Sequence, residues 1–378
     1  MYKRNKYMFK RVTKTARSHN SGIMQSFPPP AFLIMPAVGV DVSDKSIKFL
    51  QFERTRAGCK LSVFGDVDLK EGVVVDGEIK DSKLLIEALK VVKERSNANF
   101  ARASLPEQKA YFFTTKIPAD ASHEQIMKIL EFELEEHVPL SPGEAIVDYD
   151  RVIGDIEEKE IGVGVTVYPR ATVTKYTDAF IQAGLFPLSL EIEAHATERS
   201  IIPKGDLGTM MAIDLGETGT GLSIVSKGML AFTSTLDMAG ATLTKIFVEE
   251  LSLAEGDVAH AKNTIGITIN EEHAILTKKL LSVVDILVEE IKRHRVYWET
   301  HEGEGGTKNS LIDEVLLCGG NANIKGLPEY IEHALAIPTR RANVWQNAFS
   351  IEEVVPHMSY EVSLSYSTAV GLALRNDN

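Results

Sequence analysis

The first apolar run of the chain is Val38-Gly39-Val40-Asp41-Val42, interrupted by the polar pair Asp44-Lys45 and followed by an alternating stretch from Ser46 to Phe52. A buried run, a polar break and an alternating run predict a β-hairpin. Leu61–Leu69 and Gly72–Asp76 read as further strands, and Ser82–Arg95 as a helix with Leu84, Leu85, Ala88, Leu89 and Val92 on one face. A different unit follows. Ser122, with Gln125 three residues on, has the form of a helix N-cap. The helix to His137 turns Ile126, Ile129, Leu130 and Leu134 inward and Glu131, Glu133, Glu135 and Glu136 outward, and Pro139 ends it. Strands at Ala145–Ile153 and Glu160–Tyr168 and a helix at Ala171–Ala183, stopped by Gly184, complete a small α+β module.

At Met210 the opening pattern returns. Met211-Ala212-Ile213-Asp214-Leu215-Gly216 reads as a buried strand, Glu217-Thr218-Gly219 as a turn, and Thr220–Ser226 as a second strand. Asp41 and Asp214 occupy the same place in the two patterns, so the chain reads as a duplicated fold with an insertion in its first half. Residues 240–300 are mostly helical, and Glu302–Asn309 is a Gly-rich loop. Glu314–Cys318 is a strand, Gly319-Gly320 a tight turn, and Leu327–Ala336 a helix. The expected divisions are an arm over 1–36, a first lobe over 37–113 and an inserted α+β subdomain over 114–189. A crossover helix over 190–207 leads to a second-lobe core over 208–239 and 311–378, with a helical subdomain over 240–310.

Composition narrows the function classes. At 378 residues the chain exceeds one ordinary core. Its net charge of -12 argues against general nucleic-acid binding. The first twenty residues oppose that charge: Lys3, Arg4, Lys6, Lys10, Arg11, Lys14 and Arg17 stand there with no acid, and Pro28-Pro29-Pro30 and Pro36 follow. Such an arm reads as disordered, or as a contact for anionic lipid. Cys59 and Cys318 are far apart and form no metal or disulfide pattern. No apolar run is long enough to span a membrane.

The two hairpins carry the chemistry. A nucleotide polyphosphate needs backbone N–H groups at close approach, which favours small residues in tight turns. Its Mg²⁺ needs a carboxylate but keeps most of its waters. Asp41-Val42-Ser43-Asp44-Lys45-Ser46 and Asp214-Leu215-Gly216-Glu217-Thr218-Gly219-Thr220 supply both features twice, and Cys318-Gly319-Gly320-Asn321 adds a backbone platform for base and ribose. No Walker-type loop and no GxSxG elbow is present.

The order of these three motifs resembles that of the actin, heat-shock-chaperone and sugar-kinase superfamily. The insert resembles that of the PilM and FtsA branch. Lys116-Ile117-Pro118, the acidic helix, His137-Val138-Pro139-Leu140, Asp148, Ala183-Gly184-Leu185 and Leu190-Glu191-Ile192-Glu193-Ala194 are similar to the PilM pattern, over about residues 37–375. The resemblance implies an α/β, duplicated actin-like (RNase H-like) fold of two lobes that binds ATP and Mg²⁺. It implies Asp41 and Asp214 at the metal, and Ser43, Ser46, Gly216, Thr218 and Gly219 at the phosphates. Gly240, Lys262, Gly319, Gly320 and Asn321 would lie on the nucleoside side, and Glu191 would orient water. It further implies a cytoplasmic adaptor, peripheral at the inner membrane and open to oligomerisation, that binds the N-terminal peptide of a PilN-like bitopic protein along 105–118 and the acidic helix. Four sites depart from the family: Ser43 in place of a glycine, Ala239-Gly240 in place of paired glycines, Ala241 and Thr242 in place of acids, and Ala259 in place of a glutamate. An FtsA-like division protein is the alternative, but that family ends in a linker and a membrane helix, where this chain has Arg375-Asn376-Asp377-Asn378 directly after a predicted helix. A small-molecule kinase of the same fold is the other; it needs a base facing the γ-phosphate.

Overall fold

The computed structural model describes residues 36–55, 58–151, 159–236, 240–268, 271–300, 302–303, 307–352 and 354–375. The basic arm, Ala239 and the last three residues lie outside them.

The first sheet is built from β1 (Ala37–Val42), β2 (Ser46–Thr55) and β3 (Gly58–Asp68), then β4 (Phe100–Leu105) after helix α1 (Ser82–Ser96). Asp81 caps α1 by accepting from Lys83 N and Leu84 N. The Gly72–Asp76 region, expected to be a strand, forms only a two-residue pair, Val74–Val75 with Glu78–Ile79. The insert contributes β5 (Tyr111–Pro118), α2 (His123–His137), β6 (Ala145–Arg151) and β7 (Glu160–Pro169). After α3 (Arg170–Ala183), strand β8 (Phe186–Ile192) and helix α4 (Glu193–Ile201) return to the first sheet.

The second sheet uses β9 (Thr209–Leu215), β10 (Thr220–Ser226), β11 (Met229–Leu236), β12 (Glu314–Cys318) and β13 (Thr339–Arg341). Helices α5 (Gly240–Leu251), α6 (Val258–Thr264), α7 (Ala274–Thr300) and α8 (Leu327–Leu335) surround it. The chain ends in α9 (Ser367–Leu374).

The two sheets repeat one plan. The orders are β8-β4-β1-β2-β3 and β11-β10-β9-β12-β13. In each, the opening strand is antiparallel to the next and parallel to the strand on its other side, and a further parallel strand closes that edge. β1 and β9 are central and covered on both faces, which is why they read as nearly continuous apolar runs. Each carries one acid, at its last-but-one position: Asp41 opposite Lys48, and Asp214 opposite Gly221.

The insert is a three-stranded antiparallel sheet of order β5-β7-β6 with α2 on one face. It has its own core of Ile117, Ile126, Leu130, Leu134, Val163, Val165 and Val167. Ser122 and Gln125 form the capping box that starts α2. α3 belongs elsewhere: Tyr176 and Phe180 join the large core of the lobes, and α3 packs on α1.

The hinge between lobes is a helix pair. α9 follows the second lobe in sequence but lies on β1 and α4 of the first. A side chain at Gly371 would run into the backbone of Ala196, whose Cα is 3.0 Å from the Cβ position, so only glycine lets the two helices touch. Thr197 and Thr368 exchange a hydroxyl bond of 3.1 Å across the same contact. Among the described residues no helix is long and apolar enough to cross a membrane.

Candidate nucleotide cleft

A cleft of about 610 Å³ opens between the two sheets, at the ends of β1 and β9. It is lined by the first hairpin (Asp41 to Ser46), by the second (Gly216 to Gly219), by the start of α4, by α6 and by the turn at Gly319-Gly320-Asn321. Of the residues singled out from sequence, Asp41, Ser43, Ser46, Asp214, Gly216, Thr218, Gly219, Lys262, Gly319, Gly320 and Asn321 all face it. Gly240 and Glu191 do not.

The floor is made of acids. Ser104 on β4 donates to Asp41 Oδ1 at 2.8 Å and accepts from Val42 N at 3.2 Å, so one hydroxyl fixes both the carboxylate and the strand end. Burial pushes the Asp41 carboxyl up, opposed by the charge of Lys48 and the Ser104 bond. Asp214 is pushed up to about 6, first by burial and then by the charge of Asp41. The two aspartates therefore share one field across the cleft.

Two further carboxyls, not picked out from sequence, share that field. Glu107, just after β4, is buried and pushed up to about 8 by burial and by Asp214, against the pull of His195. Its Oε1 is buried without a hydrogen-bond partner. Glu193, the first residue of α4, is half-buried, and its carboxyl is pushed well above its ordinary value by desolvation and by the charges of Asp41, Glu107 and Asp214. Buried like charges of this kind are relieved by a cation. Among the described residues, no three His, Cys, Asp or Glu side chains stand close enough to hold a metal on their own. That suits an ion carried mainly by water and phosphate oxygens, as Mg²⁺ is with nucleotides.

Glu191 lies outside the cleft. Its side chain is 6% exposed and forked onto Arg199, with Nη1 and Nη2 at 2.7 and 2.8 Å, while Arg375 Nη1 donates at 2.6 Å. Burial alone would raise its pKa, but the two guanidinium charges outweigh that and hold it at about 2. Arg199 also donates to the Gly371 carbonyl at 3.0 Å. Glu191 thus ties α9 to α4 and β8.

The hairpin turns differ in how their groups are used. In the first, Ser43 N and Ser43 Oγ both donate to the Ser46 carbonyl, at 3.0 and 2.9 Å, and Ser46 N donates to Ser43 Oγ at 3.3 Å. The Ser43 side chain thereby closes the turn. Lys48 Nζ reaches Ser46 Oγ at 3.2 Å and brings positive charge to the floor. The second is backed by the turn after β12: Gly319 has φ +83, and a Cβ there would fall 2.6 Å from the Leu215 carbonyl oxygen, so the platform needs glycine on both counts. Asn321 donates to the carbonyls of Leu215 and Gly216 at 3.3 and 3.0 Å and accepts from Lys262 Nζ at 2.8 Å. Gly240 stands behind this group: its N–H donates to Gly216 O at 3.1 Å, and a side chain there would strike Asn321. It shapes the turn from outside the cleft.

Two copies of one sheet, hinged on a helix pair and facing each other with an aspartate from each, define the actin-like ATPase fold. Solved structures agree. A PilM–PilN type IV pilus biogenesis complex matches with a TM-score of 0.74 at 16% identity, over 90% of this chain and 98% of that one. The ethanolamine utilization protein EutJ from Carboxydothermus hydrogenoformans matches with a TM-score of 0.53 at 15% identity, over 92% and 90%. Residues 39–377 match the family described as type IV pilus assembly protein PilM, and the chain belongs to that family.

Proposed function

We propose that this chain is a nucleotide-binding adaptor of a type IV pilus or related secretion machine, working at the cytoplasmic face of the inner membrane. The observation that carries the nucleotide half is the pair Asp41 and Asp214, at equivalent strand ends on the floor of one cleft. When bound, Mg²⁺ would supply the charge that screens the phosphates from these acids. Asp41 and Asp214 are the residues that would hold it. Thr218 and Gly219 approach the phosphates from one lobe, and the Ser43–Ser46 turn from the other. Lys262, Gly319, Gly320 and Asn321 form the nucleoside wall.

The water-orienting role expected of Glu191 falls to Glu193, two residues on, because Glu191 is saturated by Arg199 and Arg375 while Glu193 faces the cleft. Burial and the neighbouring acids raise the Glu193 pKa, which disfavours the carboxylate form that would take a proton from water and suits slow turnover. The partner half rests on β5, which among the described residues is an edge strand of the insert, paired with β7. An extended segment of a PilN-like bitopic protein adds to such an edge by main-chain bonds, with side-chain pockets for specificity. Phe113 on this strand stacks on His137, the last residue of α2, with ring centroids 4.4 Å apart.

The test is calorimetric titration of Mg-ATP into wild type and Asp214→Asn. Micromolar binding by wild type and at least a tenfold loss in the variant are expected, about 1.4 kcal/mol or more. Equal binding by both would remove the aspartate clamp from the reading.

A further inference from the structure

The two hairpins touch across the cleft. Lys45 Nζ, at the tip of the first, stands 3.6 Å from Glu217 Oε1 in the turn of the second. The second lobe holds Glu217 in place: Thr244 Oγ1 donates to its other oxygen at 3.2 Å, and Lys262 Nζ donates to Thr244 at 2.7 Å and to Asn321 at 2.8 Å. The first lobe holds the base of Lys45, whose carbonyl accepts from Leu69 N at 2.7 Å. The side chains of the pair are 57% and 38% exposed, so solvent screens the contact and a stronger anion displaces it.

Resting on the nucleotide reading above, we propose that Lys45 is a phosphate-contacting residue of this cleft, and that Glu217 occupies it as a carboxylate stand-in while no nucleotide is bound. Both residues line the same cavity as Asp41 and Asp214. A terminal phosphate carries more charge and more acceptor oxygens than a carboxylate, so it takes the ammonium from Glu217 on entry. The lobes are then joined through the ligand instead of through the ion pair. Glu217 is in this sense a competitor for the phosphate, and its charge lowers nucleotide affinity.

Glu217→Gln keeps the acceptor for Thr244 and removes only the charge. It is expected to tighten Mg-ATP binding about three- to tenfold and to leave adenosine binding unchanged. Lys45→Met is expected to weaken Mg-ATP about tenfold, and the gain from Glu217→Gln is expected to vanish in the double variant. With one spin label on each lobe of the nucleotide-free protein, both single variants should broaden the inter-lobe distance. Unchanged or weaker ATP binding by Glu217→Gln, a gain that survives in the Lys45→Met background, or unaltered lobe distances would overturn the proposal. Failure of the nucleotide reading looks different: the wild type itself would take up no ATP, and no variant would be needed to see it.

Discussion

Glu191→Ala is expected to destabilise the protein by about 3–5 kcal/mol at pH 7, because it removes the buried carboxylate that two half-buried guanidinium groups share. Arg199 keeps one carbonyl bond, to Gly371, and Arg375 loses the bond that pins the end of α9. The thermal midpoint should fall by roughly 4–6 °C. The pH dependence follows from the depressed pKa. Glu191 is held at about 2 against an ordinary 4.5, so its stabilisation is complete above about 4.5 and is lost as pH falls through 2. Glu193→Gln should do the reverse: fold stability is kept or raised, since a carboxyl crowded by other acids is replaced by a neutral amide, while ATP turnover falls. A Glu191→Ala protein that melts like wild type but turns over no ATP would return Glu191 to the chemistry.

That pair of neighbours marks the limit of the sequence. Leu190-Glu191-Ile192-Glu193-Ala194 alternates like a strand, and on a strand both glutamates would share one face. The backbone changes from β8 to α4 at Glu193, so the two side chains part company. What silences Glu191 is Arg199, eight residues on, joined by Arg375, which is 184 residues away and reaches it only because α9 folds back from the second lobe. Nothing local announces that.

The hairpins were legible for a physical reason. A strand buried on both faces tolerates an acid only near its end, and two such runs with turn residues behind them repeat too closely to be chance. The strand beside them was not. β4 reads Phe-Ala-Arg-Ala-Ser-Leu, small and polar, with few of the β-branched residues that signal a strand. It is nevertheless central to the first sheet and carries Ser104, which orients Asp41. With β4 went Glu107, which follows it. Lys48 was legible in retrospect, since it lies two residues from Ser46 on the same face of β2.

Glu107→Gln is expected to stabilise the protein, and by an amount that grows with pH. The Glu107 carboxyl is pushed up to about 8 from an ordinary 4.5, by burial and by the charge of Asp214, with His195 pulling the other way. Below about 4.5 the group is protonated folded or unfolded, and its burial costs no ionisation energy. As pH rises toward 8 the unfolded chain releases this proton and the folded one retains it, so native stability falls across that window. The amide has no proton to lose and escapes the penalty. A shift of this size corresponds to about 3–5 kcal/mol between the two ends of the window. Denaturant unfolding of both proteins at pH 5 and pH 8 reads it directly. The midpoints should lie close together at pH 5 and apart at pH 8, with Glu107→Gln the more resistant. His195 sharpens the comparison, because it titrates nearby. Its own pKa, lowered by burial but raised further by Glu198 and Asp150, stands at about 9 against an ordinary 6.5, so it too lowers stability as pH rises above 6.5, but it does so in both proteins and cancels from the difference between them. A gap that is the same at both pH values would mean that Glu107 is ionised in the folded cleft, already matched by positive charge, and that the acids of the floor do not wait for a cation to be relieved.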